Sequence, residues 1–466
     1  MLFQKITNNK FFYIASIFSI VYFLNINNYV GNQLLFLLLN LSSFALFVIT
    51  IRKNVTAVEF FFFIFLLLSF WFKFSYMLFF DKLDVVDTTL EGDFDLSKSN
   101  YDKATTIIII GFISCIIGSF LREFIFNKLF NKKIFIINNY FLMFYKKYRF
   151  YILFLFIVCL STIWTVNIVY SIYSKGVVNT EVPFVLVHFF SWLYTYGFSV
   201  FVSILIYVDY LIFKNKNYFI LGIFETLVTN ITMLSRAFVV SIFSYIRGYA
   251  QLIEFNKIRF IFKKIFIKLF FLVFIFSFLS ILVVTQLRTN NFKKEQYSKF
   301  NSLKETTSII LELSLNRWIG IDGVLAVSQG NNLSFDFFKS SLSEEKNIRE
   351  KSFYMKFFFK KYIFNPTDKE EVNTIITPGI FAFLYYSGSI IFISLSIIFI
   401  ILCCALIEKF FLIFSGGNII LSNIIGYTLA QRLIHFGYLP SNTINFLLSF
   451  LITLLIVLIV SKIIWK

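Results

Sequence analysis

Residues 104–121 read ATTIIIIGFISCIIGSFL, and Arg122 follows. The run carries no charge, and as an α-helix it is about 27 Å long, close to the thickness of bilayer hydrocarbon. A helix on the surface of a soluble domain keeps a polar face. This run keeps none. Comparable runs fall near 11–29, 34–51, 58–80, 150–172, 190–213, 217–235, 237–254, 266–286, 376–405, 411–430 and 443–461. Polar residues interrupt those at 217–254 and 411–430. The composition agrees: hydrophobic residues make up 58%, charged residues 15%, and the mean hydropathy is +0.80. A soluble chain is nearer a quarter charged. The expected fold is therefore an all-α polytopic membrane protein with about twelve spans. Three segments follow: 1–286 with about nine spans, a loop domain over 287–375, and 376–466 with about three spans.

The net charge of +18 does not imply nucleic acid, because the basic residues sit in short clusters between apolar runs. With twelve spans, 21 of the 43 basic residues fall in loops on one side, among them Arg52, Arg122, Lys146, Lys147 and Lys263. By the positive-inside rule both termini are cytoplasmic. The four cysteines lie inside apolar runs, so neither a disulfide framework nor a zinc spacing is present. No H-E-x-x-H pattern occurs, and no metal or cofactor is expected. The 69 phenylalanines read first as lipid-facing or packed side chains rather than a substrate platform.

The opposite side carries two loops. One, near 81–103, holds seven acids against three bases. The other, near 287–375, has 14 basic and 11 acidic residues over 286–375. Within it, SLKETTSIILELSLNRWIGIDGVLAVS predicts two short amphipathic helices, and EKNIREKSFYMKFFFKKYIF predicts a third on the membrane surface.

Ionisable residues in or beside spans are costly and mark functional candidates. Arg236, Arg288, Arg317 and Arg432 fall toward the outer side, with Arg247 deeper. A guanidinium stays charged and presents a planar fork of donors suited to pyrophosphate. The plainer reading pairs each arginine with an acid or lets it reach the interface. Arg432 and His435 share a helix face at i,i+3, a phosphate-binding group beside a candidate proton acceptor. An interface anchor and an idle histidine fit the same residues. His188 is a weaker candidate on the same side. Asp322 stands between Gly320 and Gly323, which permit a turn or close backbone approach. It is suited to hold a sugar hydroxyl, or else to pair locally with Arg317. Glu225 is a candidate acid or an arginine partner. Tyr385 and Tyr386 suit sugar stacking or the interfacial aromatic belt. In SGGNII (415–420) the small residues allow close packing or a break.

The plan resembles the O-antigen polysaccharide polymerases of the polymerase and ligase group of membrane glycosyltransferases. NRWIGIDGVLAVS (316–328) and TPGIFAFLYYSGS (377–389) carry the local resemblance. The spans, the cytoplasmic ends, the late outer loop and the outer-face arginines carry the general one. The arginine–glycine spacing of some polymerases is not reproduced. The resemblance implies a metal-independent enzyme of a bacterial inner membrane with a periplasmic site. Its donor and acceptor would be undecaprenyl-pyrophosphate-linked glycans, with a chain-length regulator as a further partner and no nucleic acid. It implies catalytic roles for His435, Asp322 and Glu225, and substrate binding by Arg236, Arg288, Arg317, Arg432, Arg247, Tyr385 and Tyr386. A ligase and a flippase or other transporter stay open as alternatives.

Overall fold

The computed structural model describes residues 8–52, 54–80, 97–129, 137–174, 183–214, 218–235, 238–254, 320–344, 353–358, 378–434 and 440–465, with 275–276, 280 and 283–284. Among the described residues the architecture is helical with no strand, and an isolated antiparallel bridge joins Ile137 to Trp465. Among the described residues, seven helices are long and apolar enough to cross a bilayer. Three more apolar helices are shorter: Phe12–Asn25, Phe219–Thr232 and Ile419–Ile434. The chain thus fits a polytopic membrane protein.

In chain order the helices are α1 (Asn8–Asn25), α2 (Gln33–Thr50), α3 (Ala57–Phe79), α4 (Lys98–Leu129), α5 (Asn139–Tyr170), α6 (Val185–Phe213), α7 (Phe219–Thr232) and α8 (Phe238–Glu254). After these come α9 (Ile321–Ser328), α10 (Phe335–Leu342), α11 (Phe353–Phe358), α12 (Ile380–Leu384), α13 (Ile390–Phe414), α14 (Ile419–Ile434) and α15 (Pro440–Ile464). Both α3 and α6 contain a π-helical stretch, at Leu67–Phe72 and Leu193–Gly197.

Several boundaries differ from the sequence expectation. The run 376–405 is not one helix: α12 ends in a 3₁₀ turn at Tyr385–Ser387, Gly388 takes a positive φ of 67°, and α13 begins afresh at Ile390. Apolar residues on both sides of the break hide it from a hydropathy reading. The residues 415–418 form a break, with Gly416 and Gly417 at φ of 69° and 82°. Helix α13 therefore extends to Phe414, and α14 starts later than the expected 411. Of the three expected loop helices, α9 and α11 are present, the one expected ahead of α9 lies outside the described residues, and α10 is an addition. The expected span 266–286 lies almost wholly outside the described residues.

The chain divides into two compact units that cut across the three sequence segments. The first comprises Met1–Asn131, Thr307–Ala405 and Leu429–Phe446; the second comprises Lys132–Thr306, Leu406–Thr428 and Leu447–Lys466. The first unit is cored by aromatic rings. Phe70 packs on Phe381 at 4.8 Å between centroids, Phe18 stacks on Trp71 at 4.2 Å, and Tyr29 stacks on Phe36 at 4.9 Å. Its charges are paired where buried. Thr56 and Glu59 form a capping box at the start of α3, which satisfies two orphan N–H groups. The Glu59 carboxylate also accepts two bonds from Arg122 of α4, at 3.0 and 2.7 Å, with both side chains buried.

In the second unit, Val202, Ile206, Ile223, Ile242, Tyr245, Ile420 and Ile424 belong to one buried cluster. Gly248 lets α8 approach α14, because a Cβ there would sit 2.8 Å from the Ile420 Cα. Asp209 of α6 is buried and accepts a bidentate pair from Arg149 of α5 at 2.7 and 3.0 Å.

Candidate functional site

The first unit holds a charged pair that the apolar pattern conceals. Lys73 lies six residues before the end of α3, about 9 Å inside it along the axis. It is buried, and its ammonium pairs with Asp322 of α9. The lysine side chain is 4% exposed and the aspartate side chain 32%, so the pair has one dry end and one wetter end.

The local sequence explains how α9 reaches Lys73. Gly320 packs so closely on the π-helical stretch of α3 that a Cβ would run into the Ser69 backbone. A Cβ at Gly323 would strike the Pro378 carbonyl. The two glycines that bracket Asp322 thus serve close backbone approach, the second of the two uses expected of them. Helix α9 also packs on α4 and α12.

One oxygen of the aspartate is engaged and the other is not. Oδ2 takes the lysine; Oδ1 is buried with no hydrogen-bond partner among the described residues. The Tyr386 hydroxyl is likewise buried without a partner among them. A buried polar atom left unpaired costs on the order of 1–3 kcal/mol, so each of these two atoms, on neighbouring elements, is available for an added hydrogen bond. Tyr354 of α11 is fully buried, and its hydroxyl is pushed well above the usual range, first by burial and then by the charge of Asp322. It stays a neutral phenol. Glu344 accepts the Phe353 N–H at 2.7 Å, and burial raises its carboxyl above the usual range.

An aromatic wall surrounds Tyr386. Phe358 stacks on it at 5.6 Å, and Phe337, Phe353 and Phe383 lie edge-on or tilted at 5.4 to 5.8 Å. Lys103 of α4 lies 5.8 Å over the Tyr385 ring. Both tyrosines are buried inside protein rather than placed in a lipid-facing belt.

The remaining candidates separate. Arg432 is partly buried on α14 in the first unit, with its guanidinium 5.4 Å over the Phe446 ring. Glu225 and Arg247 belong to the second unit. Glu225 accepts from three hydroxyl groups, with a fourth within 3.4 Å, and bonds none of the described arginines. Arg247 bonds the Asn423 side-chain oxygen, which is the helix-packing role. His188 is exposed on α6. His435, Arg236, Arg288 and Arg317 lie outside the described residues, Arg317 being the expected local partner of Asp322; the described partner is Lys73, 249 residues away. Sequence reasoning missed Lys73 although the signal was present: it is the single charge in the run FFFFIFLLLSFWFKFSYMLFF (60–80).

No protein-family model, no curated protein and no solved structure matches the chain.

Proposed function

We propose that the chain is a membrane glycosyltransferase that polymerises lipid-pyrophosphate-linked oligosaccharide repeat units on the outer side of a bacterial inner membrane. The observation that supports this most directly is Asp322: one carboxylate oxygen is anchored by Lys73 and the other has no hydrogen-bond partner among the described residues. In this reading Oδ1 accepts the proton of the acceptor sugar hydroxyl. The hydroxyl oxygen attacks the anomeric carbon of the donor, the bond to the pyrophosphate oxygen breaks, and the lipid pyrophosphate leaves with the electron pair. Lys73 fixes the carboxylate in position. The rings around Tyr386 wall the site against water, which would otherwise take the glycosyl group. Binding of the leaving pyrophosphate falls to Arg432, which shares the first unit with Asp322, in keeping with stabilisation of developing anionic charge by fixed donors.

Purified protein in liposomes, given lipid-pyrophosphate-linked repeat units without nucleotide, metal or core acceptor, is expected to build a ladder of longer lipid-linked glycans. Asp322→Asn should cut the rate by about 100-fold or more, the scale of general-base catalysis, in protein shown by its unfolding transition to be folded. Folded wild-type protein that builds no ladder from the native repeat unit would refute the polymerase. Transfer to a lipid A core acceptor, or movement of the lipid-linked unit between leaflets, would then identify a ligase or a flippase.

A further inference from the structure

Glu225 poses a problem that glycosyl transfer does not answer. It sits on α7, is 1% exposed, and lies among the apolar side chains of the second unit. Its neighbours are uncharged oxygens. Ser199 Oγ and Tyr245 Oη donate to Oε2 at 3.1 and 3.0 Å, and Thr229 Oγ1 donates to Oε1 at 3.0 Å. Thr226 Oγ1 lies 3.4 Å from Oε2, but its hydrogen goes to the Gly222 carbonyl at 2.7 Å. The Ser199 carbonyl oxygen lies 3.3 Å from Tyr245 Oη. Ser199 comes two residues after the π-helical stretch of α6.

Several charged and titratable groups on the elements packed against α7 are engaged elsewhere. On α6, Asp209 is bound to Arg149 of α5, with Tyr145 of α5 on the same carboxylate. On α8, Arg247 bonds Asn423, and Tyr249 stacks on Phe219. Tyr207 of α6 donates to the Gly416 carbonyl, and the Tyr210 ring lies beneath Lys214. No described basic group bonds Glu225.

Three hydroxyl donors satisfy the geometry of a carboxylate but supply no net charge. A bare negative charge in the interior of an apolar helix bundle is too costly to keep. We infer that Glu225 is the anionic centre of a monovalent-cation site, taking a proton or a sodium ion among the oxygens of Glu225, Ser199, Thr229 and Tyr245. A divalent ion does not suit the set, because in so dry a place a single carboxylate leaves a second positive charge buried and unbalanced. The inference is independent of the reaction proposed for Asp322.

The test uses full-length protein in lipid nanodiscs. Infrared difference spectra of wild type against Glu225→Gln are recorded at neutral pH, and unfolding temperatures are measured in sodium, potassium and choline chloride. A proton site predicts a protonated-carboxyl band that is deuterium-sensitive and lost in Glu225→Gln, with no preference for sodium. A sodium site predicts a carboxylate signal and an unfolding temperature that climbs with sodium concentration alone, a climb absent in Glu225→Gln. A carboxylate signal with no sodium-specific climb overturns the inference. Should Glu225→Gln fail to fold, Thr229→Val and Tyr245→Phe serve instead. Each removes one oxygen of the set and must weaken the proton band or raise the sodium concentration needed; unchanged behaviour in both also overturns the inference.

Discussion

The Lys73–Asp322 pair predicts an asymmetry between its two deletions. Loss of one partner of a buried ion pair costs about 3–5 kcal/mol, because the other charge keeps its desolvation penalty without its countercharge. The penalty therefore depends on which charge remains. Asp322→Asn leaves the lysine, whose side chain is 4% exposed and about 9 Å inside α3, so the full range applies. Lys73→Met leaves the aspartate, whose side chain is 32% exposed. Water reaches part of that group, and the cost falls to about 1–2 kcal/mol, nearer the value for an unsatisfied group than for a sealed ion. Coupling of contacting residues of about 2–3 kcal/mol then makes the double variant less destabilised than Asp322→Asn alone. The assay is denaturant unfolding in mixed micelles for the wild type, both single variants and the double variant. A Lys73→Met cost equal to or above that of Asp322→Asn, or strict additivity in the double, would show that the pair is not arranged with its lysine at the dry end.

Three further outcomes follow from the same geometry. Arg122→Met should cost about 3–5 kcal/mol in the same unfolding assay, since it strands the buried Glu59 carboxylate; a cost below about 1 kcal/mol would mean that the pair is solvated. Gly323→Ala should cost about 1–3 kcal/mol, because the added Cβ meets the rigid Pro378 carbonyl. Gly330→Ala, where the neighbours are the adjustable side chains of Leu333 and Phe358, should cost less; equal costs would contradict the close approach of α9. Glu344 gives a pH dependence. Burial raises its carboxyl in the folded state, so the folded protein holds the proton more tightly. That contribution is fully present below the unfolded carboxyl value and is lost as pH rises through the raised folded value. Glu344→Gln should flatten this part of the stability profile, and an unchanged profile would remove Glu344 as its source.

The sequence by itself determined that the protein is a helical chain built for a bilayer. Uncharged runs such as 104–121 leave no other way to satisfy the backbone in hydrocarbon, and α4 forms there. It also marked the glycines around Asp322 and the small residues at 415–418, because such positions have few physical uses. It did not determine where those uses fall. The break after Tyr385 and the π-helical stretches of α3 and α6 lie inside runs that are apolar on both sides, so a hydropathy reading passes over them. Only the tertiary structure decided the partners of the charges. Lys73 and Asp322 are 249 residues apart, and Arg122 meets Glu59 across 63. Spacing along one helix cannot encode either pair. Glu225 reads in sequence as a candidate acid or an arginine partner, and among the described residues the packing of α6, α7 and α8 surrounds it with hydroxyls. Burial of a charge is a property of three-dimensional neighbours, and the chemistry that compensates it is legible only once those neighbours are in place.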